Sequence, residues 1–250
     1  MACIVLAPFA FKSTIEDFKI VKKLIWYLVL TALLGITFFN TLIYFAGKTT
    51  SAINLSLIAI SIPLFIVVLS RIIFKEKLSS LKIAGIATII TGVIVLITKG
   101  SLLALLHINF TIGDLLMLVA CLFFACYTIL VRQKPDELSP KVFLFSVFVL
   151  GVIFLFPFYL WEHLFYKKVI LDTKTIVVTI YVGLFASMVS YYLWNEAIRL
   201  IGTSKTALIY YLIPVFSGIL AYFFLGQAIV ITQIISMGII ITGLLITNRG

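Results

Sequence analysis

The 250-residue sequence is 63% hydrophobic and 11% charged, with a mean hydropathy of +1.26. Those figures exclude a water-soluble fold, because nine acids and nineteen bases cannot cover the polar exterior that so apolar an interior would need. A nucleic-acid partner is excluded as well: the formal charge of +10 comes from bases in short gaps between apolar runs, where Lys and Arg orient helices and meet anionic lipid headgroups.

Residues 1–11, MACIVLAPFAF, are apolar but too short to cross a bilayer, and they lack the basic leader of a signal peptide. They read as the tail of a helix whose beginning is missing. Beyond them lie eight stretches of roughly twenty mainly apolar residues, the length a transmembrane helix needs. They cover 24–45, 52–70, 81–97, 112–131, 142–160, 175–194, 207–225 and 229–247.

The gaps between these stretches are asymmetric in charge. Fourteen of the nineteen bases fall in one alternate set (Lys12 to Lys23, Arg71 to Lys82, Arg132 to Lys141, Arg199, Lys205 and Arg249) and five in the other (Lys48, Lys99, Lys167, Lys168 and Lys174). Positive charge is retained on the cytoplasmic side, which places segment 12–23 and the C-terminus in the cytoplasm. Eight crossings between those two points agree with that placement.

Sliding the chain by 151 residues brings Pro63 onto Pro214, Phe65 onto Phe216 and Leu69 onto Leu220. It also lays Ile89, Ile90, Thr91 and Gly92 on Ile240, Ile241, Thr242 and Gly243. A matched proline and a matched Thr-Gly inside apolar helices are informative, since proline removes a backbone donor and glycine leaves a groove for a neighbour. The offset spans five helices, an odd number, so equivalent helices run in opposite directions. The expected fold is an all-α integral membrane protein, a polytopic helical bundle with inverted five-helix repeats. The first repeat, 1–98, is incomplete, about one and a half helices short of five, and the second is 112–248.

The order of these features resembles the drug/metabolite transporter superfamily of EamA type. In the first half the resemblance rests on TTSAINLSLIAISIPLFIVVLSRIIFKEKLSSLKIAGIATIITGVIVL, with internal Pro63, Glu76 at the turn, then Gly85 and Gly92. In the second half it rests on GDLLMLVACLFFACYTILVRQ and SYYLWNEAIRLIGTSKTALIYYLIPVFSGILAYFFLGQAI. The second copy carries Gln227 where the first has Glu76, and the opening helices of the family are absent. The resemblance implies a multi-pass protein of the cell membrane, the inner membrane of a bacterium. It implies a secondary transporter, a permease or exporter, of a small metabolite such as an amino acid or related amphiphile. The alternative is a truncated, non-transporting chain that needs a partner. The partners expected are the lipid bilayer and a small-molecule substrate, with a homodimer left open.

Enzyme chemistry finds no support. Cys3, Cys121 and Cys126 have no CxxC company, and the two histidines, His107 and His163, fall on different loops. No metal set, disulfide or triad can be assembled, and no cofactor is expected. Polar groups at membrane depth are the substrate-binding candidates instead. Asn40 and Tyr44 lie late in the first full helix. Tyr191, Trp194 and Asn195 share one face at i, i+3 and i+4, and Tyr211 lies about one turn before Pro214. Each has a plainer reading: interhelical bonding for Asn40, an interfacial belt for Trp194, and repair of a proline's lost bond for the residues near Pro63 and Pro214. Glu196 and Arg199 read as a solvated ion pair, and Asp114 as a charge at a helix N-terminus. The small residues Gly183, Ala186, Ser187 and Ser190 read as close helix packing.

Overall fold

The computed structural model describes residues 1–50, 55, 58–98, 111–165, 172–213, 215–216, 219–220, 223 and 231–249. Among the described residues there is no strand. That is the outcome lipid imposes, since a helix satisfies its own backbone where no water can.

In chain order the helices are α1 (Ala2–Glu16), α2 (Phe18–Lys23), α3 (Ile25–Ala32), α4 (Phe39–Thr49), α5 (Ser61–Phe74) and α6 (Ser80–Thr98). They continue with α7 (Ile112–Arg132), α8 (Pro140–Phe165), α9 (Thr173–Tyr181), α10 (Ser190–Ile201), α11 (Thr203–Leu208) and α12 (Ile231–Arg249). Among the described residues, five helical runs are long and apolar enough to span a bilayer: Ile25–Thr49, Ile112–Arg132, Pro140–Phe165, Thr175–Ile201 and Ile231–Asn248. Ser61–Phe74 and Ser80–Leu96 are shorter apolar helices at two of the remaining expected positions. The expected stretch 207–225 is described only in part, and Asn54, Ser56, Pro214 and Gln227 lie outside the described residues. The apolar stub is helical and continues to Glu16, because Lys12 to Glu16 extend a turn whose polar side chains can reach water.

Two of the spans are not uniform. Leu33–Phe38 joins α3 to α4 as π-helix, and Val182–Val189 joins α9 to α10 in the same way. Subtracting 151 from 184–189 gives 33–38, so the two wide turns occupy matching positions in the 151-residue offset.

The chain divides into two compact units. The first comprises Met1–Thr41 and Cys126–Leu200. Its interior holds Leu28, Ala32, Tyr127, Phe143 and Leu144, all essentially inaccessible. The first half of α8 is buried, from Val142 to Gly151, whereas Val152, Phe156, Trp161 and Phe165 are exposed. An exposed apolar run of that length suits acyl chains. At Gly151 a Cβ would stand 2.7 Å from Ile36 Cγ2, so α8 lies directly on the π segment. Tyr27 closes the other end of α3 by donating from its hydroxyl to the Leu130 carbonyl at 2.7 Å. The turn after α7 is tied by Lys134, whose ammonium donates to the carbonyls of Pro135 (3.1 Å) and Leu138 (2.6 Å). Burial pulls that ammonium below its usual range, against the opposing pull of Asp136.

The second unit comprises Leu42–Ala125 and Ile201–Gly250. Its main contact is α6 on α12. The bounds of α12 are those of α6 plus 151 at both ends. A Cβ at Gly92 would meet Ile240 Cγ1 at 2.9 Å, and one at Gly243 would meet Ile89 Cγ1 at 2.7 Å. Each of these pairs is the 151-residue image of the other with partners exchanged, and each sums to 332. The two helices therefore pack antiparallel about a local two-fold. Around that seam Val67, Ile86, Ile89, Val93, Leu208, Tyr211, Val215 and Ile240 form one buried cluster.

α5 ends with Lys75 in the left-handed conformation, at φ 54°. The bonds beyond it fix α11. Ser70 and Thr203 hydroxyls are bonded at 2.7 Å in a buried site, and Ser204 donates to the Glu76 carboxylate. Asp114 accepts from the backbone N–H of Thr111 at 2.6 Å and from the Thr50 hydroxyl at 2.5 Å. It thus stands at the N-terminal turn of α7 as expected and returns to the capping position three residues back.

Candidate functional site

The first unit holds a cavity of about 600 Å³, within the range of small-ligand sites. Its wall is mainly apolar, from Ile36, Phe148, Val152 and Val178, with Asn40, Thr179, Ser187 and Tyr191 as the polar side chains. Among the described residues no Lys, Arg, Asp, Glu or His lines it, and Met1, Ala2 and Cys3 complete the wall. Asn40 and Tyr191 are separated by 151 residues, and each follows its own π segment within the middle third of its span.

The π segments explain why polar groups gather here. A wide turn interrupts the i to i−4 ladder and leaves carbonyls to be satisfied by side chains. The Asn40 amide donates to the Ile36 carbonyl at 2.7 Å, and the Tyr191 hydroxyl donates to the Gly35 carbonyl at 2.6 Å. In the second π segment the Ser190 hydroxyl donates to the Phe185 carbonyl at 2.8 Å. Gly183, Ala186 and Ser187 all face the cavity. Gly183 also packs closely as expected, since a Cβ there would overlap Met1 Cβ.

The face of α10 expected from the spacing is real, but its members differ in setting. Tyr191 reaches the cavity and meets Phe148 edge-on, ring centroids 5.5 Å apart. Trp194 donates from Nε1 to the Thr128 hydroxyl at 3.2 Å. Asn195 accepts at Oδ1 from the Tyr127 hydroxyl at 2.8 Å, while its Nδ2 is buried without a partner among the described residues. Trp194 and Asn195 thus lie against α7 one turn beyond the cavity wall. Tyr127 was not singled out by sequence. The available signal was the Tyr127–Thr128 pair of hydroxyls in an otherwise apolar run, since both need partners when buried.

Two other candidates belong to the second unit. Tyr44 is half exposed and carries the Lys48 ammonium over its ring at 4.2 Å. Tyr211 is buried in the α6–α12 cluster, its hydroxyl 3.5 Å from the Ile60 carbonyl. Ser61 donates to Ile58 at 2.6 Å. Neither of these bonds goes to the carbonyl of Ala59, the one that Pro63, having no N–H, cannot satisfy. Glu196 and Arg199 form an ion pair on α10, with the Arg199 side chain more than half exposed. No group of three or more His, Cys, Asp or Glu suited to a metal occurs among the described residues.

The profile of the EamA-like transporter family matches residues 1–98 and 111–249. An uncharacterized transporter, YyaM, of Bacillus subtilis (strain 168) is 30% identical over 247 residues, covering 98% of this chain and 79% of its own. A Salmonella typhimurium protein named a probable amino-acid metabolite efflux pump is 28% identical over 74% of this chain and 64% of its own. A crystal structure with 18% identity superposes with a TM-score of 0.74, covering 90% of this chain and 76% of that one. At that identity it speaks for the fold alone.

Proposed function

Because the chain belongs to the EamA-like transporter family, we propose that it is a secondary transporter of a small metabolite, an amino acid or related amphiphile, bound between Asn40 and Tyr191. The carrying observation is that these two residues, 151 apart, line one cavity of about 600 Å³. The cavity's chemistry suits the class. Phe148, Ile36 and Val152 accept an apolar body, while the amide and phenol hydrogen-bond a polar head. With no ionised side chain among its described residues, the wall disfavours ligands of high net charge, whose desolvation it cannot repay. The name of the Salmonella relative is consistent with this reading.

In this proposal 1–98 and 112–248 are inverted repeats, supported by the matched bounds of α6 and α12 and their antiparallel seam. Exchange of conformation between the repeats gives alternating access. The C-terminus is cytoplasmic, as the fourteen-to-five charge bias suggests. A reporter that fluoresces only in the cytoplasm, fused after Gly250, should light up, and a dark fusion of full expression would reverse the orientation.

The test of function is uptake of pooled labelled amino acids and other small metabolites into proteoliposomes, with and without a proton gradient. Selective accumulation above empty liposomes is expected. Uptake no greater than in empty liposomes for every compound would refute the proposal.

A further inference from the structure

Tyr127 is inaccessible to solvent and touches three parts of the first unit at once. Its hydroxyl donates to Asn195 Oδ1 at 2.8 Å. Its ring stands edge-on to Tyr191, with centroids 5.7 Å apart, and occupies the place a Cβ on Gly35 would take. Tyr191 completes the circuit by bonding the Gly35 carbonyl. Phenylalanine would fill the same space with no polar atom to satisfy, so packing alone does not call for the hydroxyl. The bond satisfies Asn195 Oδ1, but the Asn195 Nδ2 stays buried without a partner among the described residues, so the pair as a whole is a costlier way to fill this space than two apolar side chains. What the bond does supply is a fixed rotation. Tyr191 and Asn195 lie one turn apart on one face of α10, and tying Asn195 to α7 sets the direction in which Tyr191 projects.

We infer that Tyr127 is the positioning residue of the cavity: its bond to Asn195 holds α10 in the rotation that presents Tyr191 to the substrate. The inference rests on the transport reading but can fail separately from it. In proteoliposomes with radiolabelled leucine as probe, Tyr127→Phe should raise KM about tenfold, the effect of one buried hydrogen bond, with Vmax held. Asn195→Ala should do the same, and the double variant should be no worse than either single one, because they break one interaction. Additive losses, or an unchanged KM, would overturn it.

A second readout needs no transport. With Trp26 and Trp161, both exposed, changed to Phe, Trp194 reports alone. Tyr127→Phe should shift its emission to longer wavelength and increase quenching by acrylamide while the protein still melts cooperatively. Identical spectra would overturn the inference even if leucine is carried. If the wild type carries no leucine, that counts against the transport reading for this probe, and the spectra decide the positioning role.

Discussion

Gly85→Ala tests the α6–α12 seam with a single methyl group. An ideal Cβ at Gly85 would overlap the Thr247 hydroxyl and stand 2.6 Å from the Thr247 backbone nitrogen and 2.8 Å from the Gly243 carbonyl oxygen. Two of those three atoms are backbone, so the neighbour cannot turn aside and the helices must part. Overpacking of this kind costs roughly 1–3 kcal/mol, offset in part by the helix preference of Ala over Gly, roughly 0.5–1 kcal/mol. A net loss of about 1 kcal/mol lowers the melting temperature of a chain this size by about 2–4 °C. Gly238→Ala is the control on the partner helix. A Cβ there meets nothing within 4 Å, so the same substitution should be neutral or stabilising by up to about 1 kcal/mol. Thermal unfolding of the purified protein in detergent, followed by size-exclusion recovery, measures both. Equal melting of the two variants would refute the close-packed antiparallel seam.

Three further predictions follow from separate contacts. Asp114→Ala removes the acceptor of the Thr111 N–H and the Thr50 hydroxyl and should cost about 2 kcal/mol, as for a charged buried acceptor, read as a lower melting temperature in the same assay. Asp172 caps α9 by accepting from the Thr175 N–H at 2.7 Å, and bonds from Thr175 hold its carboxyl below its ordinary value of 3.8. A depressed folded value means the stabilisation is complete above the ordinary value and is lost as pH falls through the folded one. The melting difference between wild type and Asp172→Ala should therefore shrink on acidification below that range, and a difference that grows would reverse the sign. Glu196→Gln breaks only a largely exposed pair with Arg199, so uptake and its gradient dependence should be unchanged. Lost coupling would instead make Glu196 a proton carrier.

Much of this architecture was legible because it rests on periodicity that lipid enforces. The 151-residue offset, found from Pro63 with Pro214 and Thr91–Gly92 with Thr242–Gly243, anticipates helices α6 and α12, whose bounds differ by that number. Asn40 and Tyr191 were legible as polar groups at membrane depth, and both line the cavity. The π segments were not, since LLGITF and VGLFASMV carry no residue that marks a wide turn. What packs on the first of them comes from far along the chain: Tyr127 over Gly35, and Gly151 against Ile36. Nor could the sequence show that Trp194 and Asn195, read as a substrate rim, bond to Thr128 and Tyr127. Spacing placed them correctly on one face, but which neighbour that face meets depends on α7, some 66 to 68 residues away in sequence.

The most direct measurement of the central claim is counterflow of the best-carried labelled amino acid in proteoliposomes holding Asn40→Ala, compared with wild type at equal reconstitution. Loss of the cavity's amide should reduce exchange at least about tenfold, the weight of a hydrogen bond to a polar head, with cooperative melting retained. Exchange at the wild-type rate and affinity would show that the substrate does not pass Asn40, and the cavity between Asn40 and Tyr191 would not be the transport site.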